Sequence, residues 1–66
     1  MIREGQIYSN TRKFVVTSVS LKWVVVLFQG GSVYRHARKR FEKCNFELIA
    51  EYPTWQQAVN SKEFRE

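Results

Sequence analysis

The sequence predicts a mainly β fold: a small SH3-like barrel of five strands followed by one short C-terminal helix. Three observations carry this expectation. Two runs, Phe14 to Val19 and Trp23 to Phe28, are dense in the β-branched and aromatic residues that suit a pleated surface. Turn signals recur at short spacing, at Ser9-Asn10-Thr11, between Ser18 and Lys22, and at Gln29-Gly30-Gly31-Ser32. A full helical stripe occurs only late in the chain, at Trp55, Ala58 and Val59. Short strands joined by tight turns before one helix fit a bent sheet closing on itself, and 66 residues leave room for a single domain.

The first strand is expected over 5–9, where Gly5-Gln6-Ile7-Tyr8-Ser9 alternates, and the second over 13–19. The third, 22–29, is apolar at every position from Trp23 to Phe28, so it reads as a central strand covered on both faces. Gly30-Gly31 supplies the positive φ angles of a two-residue hairpin turn, and 32–37 returns as the fourth strand. Residues 38–45 form a basic connection with one helical turn that inserts Phe41 into the core. The fifth strand, 46–51, places Phe46, Leu48 and Ala50 on one side and Glu47, Ile49 and Glu51 on the other. A helix follows over 54–61, where Thr54 caps free amides and Gln57 completes a capping box. Its Trp55 stripe lies over the end or edge of the barrel, and residues 62–66 fray unless Phe64 docks.

Composition argues against catalysis. The chain has no Asp, one His, one Cys and six scattered Glu, so the usual pairs and triads of acid–base or nucleophilic chemistry have few candidates. His36 and Cys44 are eight residues apart across a basic segment, which opposes metal binding, and no oxyanion loop accompanies them. No cofactor is expected. One cysteine precludes an intrachain disulfide and points to a reducing, cytoplasmic setting. The start of the chain lacks the apolar run of a signal peptide, and the longest apolar run, six residues, is far short of a membrane helix.

The functional signal is charge. Eleven Lys and Arg against six Glu give a net charge of +5. Arg35, Arg38, Lys39, Arg40 and Lys43 fall within nine residues that contain a single acid, Glu42. Cations converging on one rim would bind phosphate backbones, with Arg12, Lys13 and Lys22 as possible extensions. A solvated loop that keeps a small protein soluble is the plainer reading of the same run. Exposed rings beside such a rim stack unpaired bases, and the candidates are Tyr8, Trp23 and Tyr34. Tyr34 leads because it precedes Arg35, whereas Trp23 more readily belongs to the core.

Gly5-x-x-Tyr8, Phe14-x-Val16-x-x-Val19, the apolar third strand, the glycine turn, and Phe41 followed by Phe46-x-Leu48-Ile49 together resemble a family of very short bacteriophage and prophage proteins of unknown function, found largely in enteric bacteria. The resemblance covers about residues 3–50 and leaves out the Trp55 segment. It implies a phage accessory gene and supplies no catalytic or binding residues. The expectation is therefore a non-enzymatic, phage-derived module that binds DNA or RNA with low sequence specificity through Tyr34, Arg35, Arg38, Lys39, Arg40 and Lys43. The alternative is a protein-interaction module acting on a host factor through the Trp55 stripe or a free strand edge. A homodimer formed through the edge of the first or last strand is a third possibility, and no membrane partner is expected.

Overall fold

A computed structural model describes residues 1–66. Five antiparallel strands form one sheet: β1 (Gln6–Asn10), β2 (Arg12–Val19), β3 (Trp23–Phe28), β4 (Val33–Ala37) and β5 (Glu47–Glu51). Three short helices accompany them: α1 (Arg38–Lys43), α2 (Trp55–Val59) and α3 (Lys62–Arg65). The strand order is β4-β3-β2-β1-β5, a four-stranded meander whose last strand returns beside the first. The sheet is not closed, because β4 and β5 are its two edges and do not pair with each other. It follows that β1 is internal, so a homodimer through the edge of the first strand is not available. No helix is long and apolar enough to cross a membrane.

Alternation along the strands sorts the apolar residues onto two faces. One face carries Phe14, Val16, Val24 and Val26, sealed by Phe41 of α1, with Tyr8, Phe28 and Phe46 packed around them. The rings of Tyr8 and Phe46 lie 5.6 and 5.1 Å from that of Phe41. The second face carries Ile7 and Val15, covered by Ala58 of α2 and Phe64 of α3, with Trp55 and Val59 at the margin. The Trp55 stripe therefore packs against this core, with Ala58 buried and Trp55 and Val59 half-buried. Thr54 Oγ1 accepts from the Gln57 amide as expected, but no bond from the Thr54 amide to the Gln57 side chain completes the box, and Glu4 accepts from the Trp55 amide. Phe64 docks because Ser61 caps α3, and Lys13 Nζ and the Gln29 amide hold that segment by donating to its carbonyl groups.

Three local features depart from the sequence reading. The β3–β4 connection spans Gln29 to Ser32 rather than two residues, closed by the Phe28 amide donating to Ser32, and only Gly31 takes a positive φ, +92°. In β5 the register against β1 shifts so that Tyr8 faces Leu48 and Ile7 faces Ala50. This bulge leaves Ile49 exposed and turns Ala50 onto the opposite face from Phe46 and Leu48, which had been expected to share its side. Third, β3 is buried on one face only. Val24 and Val26 are fully buried, but α2 and α3 pack mainly on β1 and β2; Trp23 is 40% exposed, and Val25 and Leu27 are incompletely covered.

A polar lock joins the start of the chain to β5. Gln6 is buried yet fully satisfied: its Oε1 accepts from the Arg3 amide and the Tyr8 hydroxyl, and its Nε2 donates to the Met1 carbonyl and Glu51. Arg3 completes the lock at 2.8 Å from Glu51. Hydrogen bonds from Gln6 and Arg3 hold the Glu51 carboxyl below its ordinary range, and the Tyr52 hydroxyl does the same for Glu63. Burial raises the Tyr8 phenol. Next to the lock Gly5 has φ +88°, and a β-carbon there would meet the Tyr52 carbonyl oxygen at 2.1 Å.

Two predictions follow from this geometry. Gly5→Ala forces both an unfavourable φ and a backbone clash, so urea denaturation should show a loss of about 2–4 kcal/mol. Because Glu51 and Glu63 have depressed pKa values in the folded state, the unfolded chain binds more protons below the ordinary value of 4.5. The contribution is complete above that pH and is lost as pH falls through the folded values. The urea midpoint should drop in that window, and Glu51→Gln should flatten the drop.

Candidate nucleic-acid interface

β4 and α1 carry all six residues singled out as a binding surface, but they project in different directions. Tyr34 and Arg35 are neighbours on a strand and so emerge on opposite faces. Tyr34 is 52% exposed on the α1 face, with its ring edge-on to Phe28 at 5.3 Å. Arg12 also lies on that side, its guanidinium 4.6 Å from the Phe28 ring centroid. Arg35 lies on the second face, its guanidinium carbon 4.1 Å from the centroid of the Trp23 ring. The pairing expected between Tyr34 and a phosphate-binding Arg35 is therefore not formed, and Arg35 instead meets Trp23.

The orientation of α1 is set by Phe41, its only buried residue. At about 100° per residue, Lys39 and Lys43 then lie on the outward side, Arg40 on one flank, and Arg38 with Glu42 on the other. Arg38 is partly engaged. Its Nη1 donates to the Ser20 carbonyl at 3.1 Å, its Nε is 3.5 Å from the Glu42 carboxylate, and its amide donates to the Lys22 carbonyl. These contacts tie α1 to the β2–β3 loop and bring Lys22 beside Lys39. Together Leu21, Lys22, Ala37, Arg38 and Lys39 line an open hollow of about 290 Å³. Ala37 lies directly across from Trp23, so the hollow adjoins the Trp23–Arg35 pair.

Electrostatically this corner is poorly neutralised. Arg3 and Arg38 are the only Lys or Arg side chains paired with a Glu, so Lys22, Arg35, Lys39, Arg40 and Lys43 have no acidic partner within 4 Å. The structure thus brings Arg38 and Lys39 together with Lys22 around the hollow, places Arg35 outside its lining and over Trp23, and extends the outward row by one turn with Lys43. It leaves Arg40 on the far flank and Tyr34 across the sheet. Lys13 does not join them, because it holds the α3 segment. Tyr8 is half-buried, with its hydroxyl bound to Gln6.

The groups considered for catalysis or metal binding are also dispersed. His36 packs its ring 6.0 Å from Phe41, and Cys44 is an exposed thiol at the end of α1. No three His, Cys, Asp or Glu side chains are grouped as metal ligands would be. The hollow of about 460 Å³ lined by Arg3, Glu4, Gln6, Glu51, Tyr52 and Pro53 adjoins the polar lock, whose side chains already satisfy one another.

Trp23 is among the candidate rings but reads more readily as core in the sequence, although the pairing rule that sets it beside Arg35 is simple. In the β3–β4 hairpin Val25 faces Arg35 and Trp23 faces Ala37, which makes Arg35 the diagonal neighbour of Trp23 on one face. Only the length of the Gln29–Ser32 connection was needed to fix that register.

Because Phe41 is the anchor of α1, Phe41→Ala should cost about 3–5 kcal/mol in urea denaturation, a large share of the roughly 3–10 kcal/mol expected for a chain of this length. Phe41→Leu should cost much less. Comparison of the chain with protein-family models, with curated proteins and with solved structures finds no match in any of the three.

Proposed function

We propose that the chain is a non-enzymatic binding module that holds nucleic acid by its phosphate backbone along the β4–α1 corner. The observation that carries this reading is the gathering of Lys22, Arg38 and Lys39 around one hollow, with Arg35 nearby over Trp23, Lys43 in line and only Arg38 paired with a carboxylate. Unpaired cations on a rigid strand and its adjoining helix are suited to releasing counterions from a polyanion. Phosphate contacts of this kind position a ligand without reading its sequence. The helices are six, five and four residues long, too short to lay a reading surface along a major groove, which favours low sequence preference.

The SH3-like reading of the scaffold is part of the proposal. It is supported by β5 returning beside β1 after the meander, with α1 between β4 and β5, as a strongly bent and partly open small barrel requires. The phage-accessory reading is supported by the resemblance of residues 3–50 alone. A second reading, a protein-interaction module, is favoured by the β5 edge, where Leu48 and Ile49 are exposed beside unpaired backbone groups.

Titration of labelled DNA and RNA by fluorescence anisotropy at about 50 and 200 mM salt tests the first reading. Four phosphate contacts would give a log–log salt slope of about −3 to −4, and reversing Lys39 and Lys43 to Glu should weaken binding and make the slope shallower. Absence of binding at the lower salt, or binding indifferent to both reversals, overturns it. A saturable protein partner captured by the β5 edge, surviving nuclease treatment and lost in Leu48→Glu, would establish the second.

A further inference from the structure

We propose that the Trp23–Arg35 pair is a stacking site for an unpaired nucleobase, so that the open face of β3 and β4 takes single-stranded rather than duplex nucleic acid. This inference rests on the nucleic-acid reading above and specifies the form of the ligand and the side chains that distinguish it.

The indole is placed where a base can reach it. Trp23 is 40% exposed at the start of β3, outside the cover of α2 and α3. The residue directly across from it is Ala37, whose small side chain leaves the guanidinium of Arg35 as the β4 group that meets the ring. Val25, Leu27 and the 63% exposed Val33 continue an apolar floor along the same face. Arg35 stands over the ring at 4.1 Å and has no carboxylate to hold it there. A planar guanidinium in that position can sandwich a base against the indole or turn outward to a phosphate. At one end of the floor, Lys22, Arg38 and Lys39 surround the hollow that Ala37 shares, where the backbone of the same strand would run.

Charge and stacking together select the ligand. A duplex hides the faces of its bases, and reading its grooves needs an inserted helix or ribbon that this face does not offer. A single strand presents both bases and phosphates, and aromatic stacking tolerates any base.

The experiment uses the Trp55→Phe chain, in which Trp23 is the sole indole. It is titrated with an oligothymidylate of about 15 nucleotides and with a duplex of equal length, following anisotropy and indole fluorescence together. Saturable quenching by the single strand, coincident with the anisotropy curve and with at least about tenfold preference over duplex, is expected. Trp23→Ala should lower single-strand affinity about 5- to 100-fold and leave duplex binding unchanged. Trp23→Phe should retain most of it, and Arg35→Ala should show an intermediate loss. The two milder variants decide the matter if Trp23→Ala fails to fold by circular dichroism. Binding that saturates without quenching, equal affinity for duplex, or indifference to the variants at Trp23 and Arg35 overturns the inference. Those outcomes leave the phosphate reading intact provided the Lys39 and Lys43 reversals still weaken binding. Failure to bind either nucleic acid sinks both.

Discussion

A five-stranded sheet has two faces to cover, and the helices of this chain contain six, five and four residues. Coverage must therefore be rationed. The α1 face receives the denser packing, where Phe41 and Phe46 meet Tyr8 and Phe14 in a cluster of rings. The second face is sealed only over β1 and β2, where Ala58 and Phe64 reach Ile7 and Val15. The proposed binding surface lies on the remainder. The β3–β4 half of the second face lies outside the main contacts of α2 and α3, and the unpaired cations of β4 and α1 lie beside that opening.

The element order was legible because each strand is rich in residues that favour a pleated surface and each connection has its own turn chemistry. What was not legible is which apolar faces would be covered. Trp23 to Phe28 is apolar throughout, and a run without alternation reports that both faces tolerate apolar residues, not that a helix exists to bury both. The β5 error has a different origin. Period-two reasoning assumes an uninterrupted ladder, and the register shift opposite Ile7 and Tyr8 reverses the faces beyond it, so Ala50 changed sides while Phe46 did not. For the site, chain proximity was the misleading guide. Tyr34 and Arg35 are adjacent in sequence and opposed in space, whereas Arg35 and Trp23 are twelve residues apart and in contact. Alternation and hairpin register, both readable beforehand, would have separated the first pair and joined the second.

Electrostatics reinforces the same asymmetry. At the β5 side Arg3, Gln6 and Glu51 neutralise and satisfy one another, fastening the first residues to the last strand. Near the C-terminus Glu63 accepts from Tyr52 while Lys13 binds the adjoining carbonyl groups. The sum over residues 1–50 is nine cations less three Glu, or +6, against two less three, or −1, over 51–66. The acids are thus used mainly where structure needs them, and Glu42 alone, paired with Arg38, lies within the β4–α1 segment. A patch left without counter-charges at one corner of a small fold is a source of field as well as of contacts.

An exposed edge strand offers another account of Arg35, since charged side chains on edges discourage sheet-to-sheet aggregation. That account explains the charge on β4 but not the indole beneath it. Exposed apolar surface beside a free edge works against edge protection, and Trp23 with Val33 enlarges it. If protection were the whole purpose, a polar residue at position 23 would serve better and the guanidinium would need nothing to rest on. A surface that must stay soluble when empty yet stack a planar ligand when filled needs both groups, with the cation shielding the ring in the free state and available to the ligand in the bound one. The 4.1 Å contact between Arg35 and Trp23 is compatible with both requirements at once, and this is the physical ground on which the proposed stacking site rests.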